Sequence, residues 1–264
     1  MKRHFRGLLA VGLVLSLPSA LMAYTGSYPA GAGINGTVHD LGTAHNGMNY
    51  TASPADTLNR ICIFCHAPHN TIRLSTATGG AGPQAGPEFD YLPLWNHTLQ
   101  SITTYTMYEN GTGAPQTGPK ASQAILLGMT PGSVSLLCLS CHDGSVAVNS
   151  YGNSAQLSRS VSTGSSAISS VYTIGQDQYL GNHHPIGFEY DAVQALDPEI
   201  RDSGTASMTP TSLVADHLYG GMMECATCHA VHNKGNSGET LLWRSDQNSE
   251  LCLTCHDKGI YTAP

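Results

Sequence analysis

The chain is poor in the side chains that usually build an interior and a charged surface. Of 264 residues only 11% are charged and 7% are aromatic, with four Phe and two Trp. This composition excludes a long charged helix or a coiled coil. Because large aromatic side chains fill most cores of this size, something other than amino-acid side chains must contribute to the interior.

Positive charge is also scarce. Lys and Arg together number 11 against 18 acidic residues, which gives a formal net charge of -7, and no run of basic residues is present. Proteins that bind nucleic acids use such a run or patch to contact phosphates. We therefore expect no nucleic-acid partner.

Long apolar segments are missing apart from the N-terminal one. Residues 1–23 carry three cations, then an apolar stretch (7–17), then a small-residue end at Ala23. This order is typical of a secretory signal peptide, and the apolar stretch is too short to span a bilayer. We expect an exported protein without a membrane span, with a signal peptide at 1–23 and a single domain at 24–264.

What the chain does contain is eight Cys in four regularly spaced pairs. In each pair two residues separate the Cys, and a His follows directly. At the overall His frequency of about 5%, four such matches would arise by chance roughly six times in a million. The spacing argues against the disulfide framework otherwise expected of an exported protein. The thiols are Cys62, Cys65, Cys138, Cys141, Cys225, Cys228, Cys252 and Cys255, and the histidines are His66, His142, His229 and His256.

The C-x-x-C-H spacing is that of covalent haem attachment. Two thiols three positions apart add to the two vinyl groups of one haem, and the following His binds the iron from one side. A zinc ribbon also uses C-x-x-C pairs, but it joins two pairs into one site of four ligands and has no need of a His after each pair. We predict four covalent haem c groups with these four His as proximal ligands, and keep zinc or disulfides as alternatives.

The second axial position of each iron decides between an electron carrier and an enzyme. After the proximal His and His4 of the signal are set aside, eight His remain for four irons. Two of them follow a proximal His by three residues, a spacing that directs the second ring toward a neighbouring haem. We predict His69, His97, His184 and His232 as distal ligands, His39 and His217 as alternatives, and His45 and His183 as spare.

Several longer strings resemble those of a known family. They are N-R-I-C-I-F-C-H-A-P-H-N (59–70), C-L-S-C-H-D-G (138–144), H-P-I-G-F-E-Y-D (184–191) and M-E-C-A-T-C-H-A-V-H-N (223–233). From about residue 39 to 257 the chain resembles the extracellular multihaem c-type cytochromes of metal-reducing bacteria, and with four haems it is similar to members that polymerise into conductive filaments. The resemblance implies bis-His irons, mostly coil around a haem stack, and one axial His that can come from the next subunit.

The long connections between the motifs agree with an interior built from haem. Residues 76–87 are rich in Gly, Ala and Pro, and residues 154–170 hold nine Ser or Thr. Alone, such segments bury too little apolar surface to offset chain entropy. We predict a multihaem cytochrome c fold, mostly coil with a few short helices wrapped around a chain of stacked haems, and minimal sheet. We expect helices at 57–65 and at 249–257, the latter capped by Ser249, and a short strand at 171–174.

Three functions fit such a protein: electron transport through a head-to-tail homopolymer, a soluble periplasmic electron shuttle, and a multihaem reductase. A reductase needs an iron with an open site, whereas the eight remaining His suffice to close four irons. We therefore expect electron transfer and no enzyme activity. The lack of Lys patches favours the filament over a shuttle.

The filament hypothesis names its ligand and its partners. His232, or else His39, is predicted to reach an iron of the next subunit, because a ligand donated across a boundary that does not close gives a filament. Expected partners are further copies of the chain, upstream periplasmic or outer-membrane cytochromes, and an extracellular acceptor such as a metal oxide. The expected location is extracellular or on the outer cell surface, with the periplasm as the alternative.

Overall fold

The computed structural model describes residues 29–41, 60–69, 71–76, 84–108, 128–152, 168, 172–236 and 238–258. The predicted signal peptide lies outside these residues, as do His45 and the start of the helix predicted at 57–65. The division into a signal peptide and a single domain stays a prediction.

Helices in the described part of the chain are short. The α-helices are α1 Ser133–His142, α2 Tyr190–Leu196, α3 Cys225–Cys228 and α4 Glu250–Cys255. The 3₁₀ helices are Ile61–Phe64, Gln176–Gln178, Val214–His217 and Gln247–Ser249. Most of the remaining described backbone is coil or turn.

Sheet is limited to two small antiparallel pairs among the described residues. β1 (Phe188–Glu189) pairs with β4 (Met222–Met223), with Phe188 opposite Met223. β2 (Ser207–Thr209) pairs with β3 (Ser212–Leu213). The predicted combination of coil, few short helices and little sheet is confirmed.

Three local predictions need adjustment. The strand expected at 171–174 is wrong at its described residues, because the Ile174 N–H donates to the His142 carbonyl at the end of α1 and joins no ladder. Of the helix expected at 57–65, the described residues form only the 3₁₀ helix Ile61–Phe64, which Arg60 precedes in an extended conformation. The helix expected at 249–257 is present as α4, but the side chain of Ser249 makes no capping bond.

α1 carries the second C-x-x-C-H motif and crosses the interior. Its leucines at 136, 137 and 139 are all buried, and a helix that is apolar on all sides is stable only when it is surrounded. The helix ends at His142, and Gly144, two residues later, has a φ of +77°, the left-handed conformation that glycine adopts most easily after a helix. Tyr105 donates a hydrogen bond of 2.7 Å to Asp143 and fixes this end.

Two apolar clusters form the protein part of the core. The α1 cluster contains Ala85, Phe89, Trp95, Tyr105, Leu136, Leu137, Leu139 and Leu180. The sheet cluster contains Phe188, Tyr190, Val193, Met208, Val214 and Met223. Cys65 packs against the α1 cluster, and Cys228 and Cys255 pack against the sheet cluster. The C-x-x-C-H motifs thus lie at the edges of these clusters. None of the described helices is long and apolar enough to cross a membrane.

Candidate haem attachment and axial-ligand sites

Each C-x-x-C-H motif lies in a helical turn. The N–H of the motif His donates to the carbonyl of the first Cys in motif 1 (2.8 Å), motif 3 (3.2 Å) and motif 4 (2.9 Å), and motif 2 is the last turn of α1. Residues three and four positions apart lie on the same side of such a turn. The two thiols and the His of one motif therefore face the same way. None of the eight Cys forms a disulfide.

Neighbouring motifs come close through their thiols. Cys138 of motif 2 and Cys225 of motif 3 are hydrogen-bonded to each other. Cys65 of motif 1 lies close enough to Cys141, and Cys255 of motif 4 lies close enough to Cys228, to help raise the pKa of the neighbouring thiol. Burial raises the pKa of Cys228 to about 12. The four attachment points therefore follow one another in chain order through the molecule.

Three of the motif His rings face a second His ring at nearly the same distance. The ring centroids are 6.1 Å apart for His66 and His232, 6.2 Å for His142 and His39, and 6.1 Å for His256 and His184. An iron about 2 Å from one nitrogen of each of two imidazoles separates the ring centroids by about 6 Å. The three pairs fit a bis-His iron.

The hydrogen bonds of these rings leave the iron-binding nitrogen available. Nδ1 of His66 lies 2.6 Å from the Pro93 carbonyl, Nδ1 of His142 lies 2.8 Å from the Tyr172 carbonyl, and Nδ1 of His184 lies 2.9 Å from its neighbour's carbonyl. A carbonyl oxygen can only accept, so Nδ1 carries the hydrogen and Nε2 is unprotonated. This is the tautomer that binds a metal through Nε2.

His39 is the distal candidate that the sequence ranks only as an alternative. Its ring bonds to the carbonyl of Val231, and desolvation, together with the nearby His142, lowers its pKa to about 4. The ring is therefore neutral at neutral pH, as a metal ligand must be. The approach of residues 29–41 to the segment after motif 3 brings His39 to His142, and that contact has no signal in the sequence.

His97, predicted as a distal ligand, lies elsewhere. Its side chain is fully buried, with Nδ1 2.8 Å from the Thr98 carbonyl and Nε2 3.2 Å from the Ala147 carbonyl. Nε2 is also 3.3 Å from the sulfur of Cys141. Both ring nitrogens thus face protein atoms, and of the described motif His none lies opposite this ring. The geometry is that of a hydrogen-bonded core His.

The segment 93–97, which contains His97, contacts the His of motif 1 instead. Pro93 supplies the carbonyl that orients His66, and the Trp95 ring packs edge-on to His66 with 5.8 Å between centroids. The sequence does not show this role, because the Pro93 carbonyl and His66 are 27 positions apart and are brought together only by the fold.

Two other candidates have different surroundings. Nε2 of His217 lies 2.8 Å from the Ser212 hydroxyl, and its ring packs 4.4 Å from that of Trp243, so it belongs to the edge of the sheet cluster. His69 is exposed, three residues after His66.

Motif 3 differs from the other three. The ring of His229 bonds to the Leu241 carbonyl, and burial lowers its pKa. Within the described residues, no second His ring lies opposite it. His232, predicted as the ligand for another subunit, faces His66 of its own chain.

A buried carboxylate joins motifs 2 and 3. Glu224 is 2% exposed and accepts hydrogen bonds from the Gly132 N–H (3.0 Å) and from the Ser135 hydroxyl. Ser135 in turn accepts from the Cys225 N–H at 3.0 Å. Burial raises the pKa of Glu224. The start of α1 and the start of α3 are thereby tied together by one side chain.

Comparison with known families bears on the last two motifs. Residues 219–260 match the family model of the doubled CXXCH motif. This match indicates covalent haem c binding and electron transfer, as in a multihaem c-type cytochrome. It covers less than half of the chain, and motifs 1 and 2 lie outside it. No curated protein matches the chain.

Proposed function

We propose that this protein carries four covalent haem c groups and transfers electrons along them. The observation that carries the proposal is the set of three His pairs with centroids 6.1 to 6.2 Å apart, each containing one motif His. When bound, haem supplies a one-electron redox centre whose potential depends on its axial ligands and surroundings. The thiols of each motif would hold one haem by its edge.

The axial assignment follows the pairs. His66 and His232 would hold the iron at motif 1, His142 and His39 that at motif 2, and His256 and His184 that at motif 4. The carbonyls of Pro93, Tyr172 and Val231 hold ring protons and so keep the other nitrogen free to bind iron. Irons closed on both sides exchange electrons without binding substrate, which favours an electron carrier over a reductase.

The proposed self-assembly concerns the distal ligand of the iron at motif 3. His69 is exposed, and the predicted donors His232 and His39 already face rings of their own chain. We therefore move the cross-subunit role to His69, which would reach the iron at His229 of the next copy. Head-to-tail repetition of such a contact builds a filament. His45, outside the described residues, is the in-chain alternative.

Haem content and ligation test the electron-transfer proposal. Mass spectrometry of the purified chain should show four added haems, and the spectra of the assembled protein should be low-spin in both redox states. Carbon monoxide should not bind to the assembled protein without denaturation. Two haems only, at motifs 3 and 4, would contradict the tetrahaem proposal, and rapid binding of carbon monoxide by the assembled protein would favour the reductase.

Electron microscopy of secreted protein tests the filament. We expect filaments from the wild type, and from His69→Ala a monomer with one high-spin iron. His45→Ala is the matched variant and should still polymerise. If His45→Ala produces the high-spin iron while His69→Ala polymerises, the ligand is donated within the chain. A wild type that stays monomeric at high concentration favours the soluble shuttle.

A further inference from the structure

The described N-terminal segment, residues 29–41 (the arm), is held against residues 233–236 and 238–241 (the loop), which follow motif 3. The centre of this contact is Asn233, whose side chain is 0% exposed. Its amide nitrogen donates to the Pro29 carbonyl at 3.1 Å and to the Gly33 carbonyl at 3.0 Å. Its backbone carbonyl accepts from the Gly33 N–H at 2.8 Å.

The amide oxygen of Asn233 serves the loop itself. It accepts from the Leu241 N–H at 3.1 Å and from the side-chain amide of Asn236 at 2.9 Å. Every hydrogen-bonding group of this buried side chain is therefore used: its amide nitrogen donates to carbonyls of the arm, and its amide oxygen accepts from donors of the loop. The bonds to the arm and the bonds within the loop therefore depend on different atoms of Asn233.

The arm approaches the loop closely at a second point. The Gly31 N–H donates to the side-chain oxygen of Asn236 at 3.0 Å. A Cβ added at Gly31 would lie 3.1 Å from the Asn236 carbonyl, and the φ of Gly31 is +76°. Only glycine combines this conformation with so close an approach.

Between the anchored glycines and His39 the arm is stiffened by its own turns. The Thr37 hydroxyl donates to the Ile34 carbonyl at 2.8 Å and accepts from the His39 N–H at 3.2 Å. The Asp40 carboxylate accepts from the Gly36 N–H at 2.7 Å, and both Thr37 and Asp40 are buried. A displacement at the loop is therefore transmitted to His39.

We propose that Asn233 is a positioning residue for the iron of motif 2, because it seats the arm so that His39 reaches a position opposite His142. The inference rests on the proposed function, since it takes the His39–His142 pair as axial ligands. Asn233 directly follows His232, which faces His66. One short segment thereby places the distal ligands of two haems.

Asn233→Asp tests the inference in the full haem-loaded protein. The carboxylate keeps the acceptor for Leu241 and Asn236 but places an oxygen against the two arm carbonyls. Asn35→Asp is the matched control, since it adds the same charge to the arm at an exposed position. We expect Asn233→Asp to retain all haems and to show about one quarter of the iron as high-spin, with added imidazole restoring the low-spin spectrum. Asn35→Asp should look like the wild type.

Comparison with His39→Ala separates positioning from general destabilisation. His39→Ala should give the same high-spin fraction, and the double variant with Asn233→Asp should add nothing to it. If Asn233→Asp misfolds, Gly31→Ala displaces the arm from its own side and should give the same spectrum. The inference is overturned if Asn233→Asp keeps every haem low-spin, or if its high-spin iron adds to that of His39→Ala. A wild-type protein that lacks low-spin haems would instead refute the proposed function.

Discussion

The hydrogen bonds of Glu224 predict how much the free energy of unfolding falls when this side chain is removed. Its carboxylate lies between α1 and α3 and accepts from the Gly132 N–H and the Ser135 hydroxyl. Glu224→Ala removes the acceptor of both donors, of which the Ser135 hydroxyl is buried and the Gly132 N–H is partly buried. An unpaired buried donor costs about 1–3 kcal/mol, so the free energy of unfolding should fall by at least about 1–3 kcal/mol. Glu224→Gln keeps an acceptor for the Gly132 N–H and should stay within about 1.5 kcal/mol of the wild type.

The assay is unfolding in guanidinium chloride, followed by the loss of the low-spin haem spectrum. Since the haems are attached covalently, they stay with the chain and report the loss of distal ligands. Glu88→Ala removes the same side chain from an exposed position and should change stability by no more than about 0.5 kcal/mol. If Glu224→Ala unfolds at the same denaturant concentration as Glu88→Ala, the carboxylate does not tie the two motifs together.

Three further predictions address pH, ligation and folding. The fold raises the pKa of Glu224, so the contribution of this group to stability is full below the ordinary carboxyl pKa and is lost as pH rises through the raised pKa. Glu224→Gln should therefore make the unfolding midpoint less dependent on pH between about pH 4 and 8. His97→Ala should keep four low-spin haems while lowering stability by about 1–3 kcal/mol, and a high-spin signal in paramagnetic resonance would contradict this. Replacing Cys225 and Cys228 together by Ala should expose residues 217–258 to protease during export, because Cys228 packs against the sheet cluster; a protease-resistant three-haem protein would count against a haem-built core.

The helical turns that carry the four C-x-x-C-H motifs could be predicted from the sequence because they are local. Two thiols and a His within five positions form one helical turn, and no other part of the chain is needed to bring them together. The scarcity of sheet followed from composition for a related reason, since segments rich in Gly, Ser and Pro have few apolar side chains to bury. The short helix α4 was located by the same local reasoning, although Ser249 does not cap it.

Which His ring faces a motif His was decided by tertiary structure alone. His39 and His97 are both candidate distal ligands in the sequence. In the structure His39 faces His142, whereas both ring nitrogens of His97 face protein atoms. The difference lies in the arm and its contact with Asn233, which joins segments at opposite ends of the described chain. A residue's type and spacing determine what it can bind. What its free nitrogen faces depends on long-range packing, which no local pattern encodes.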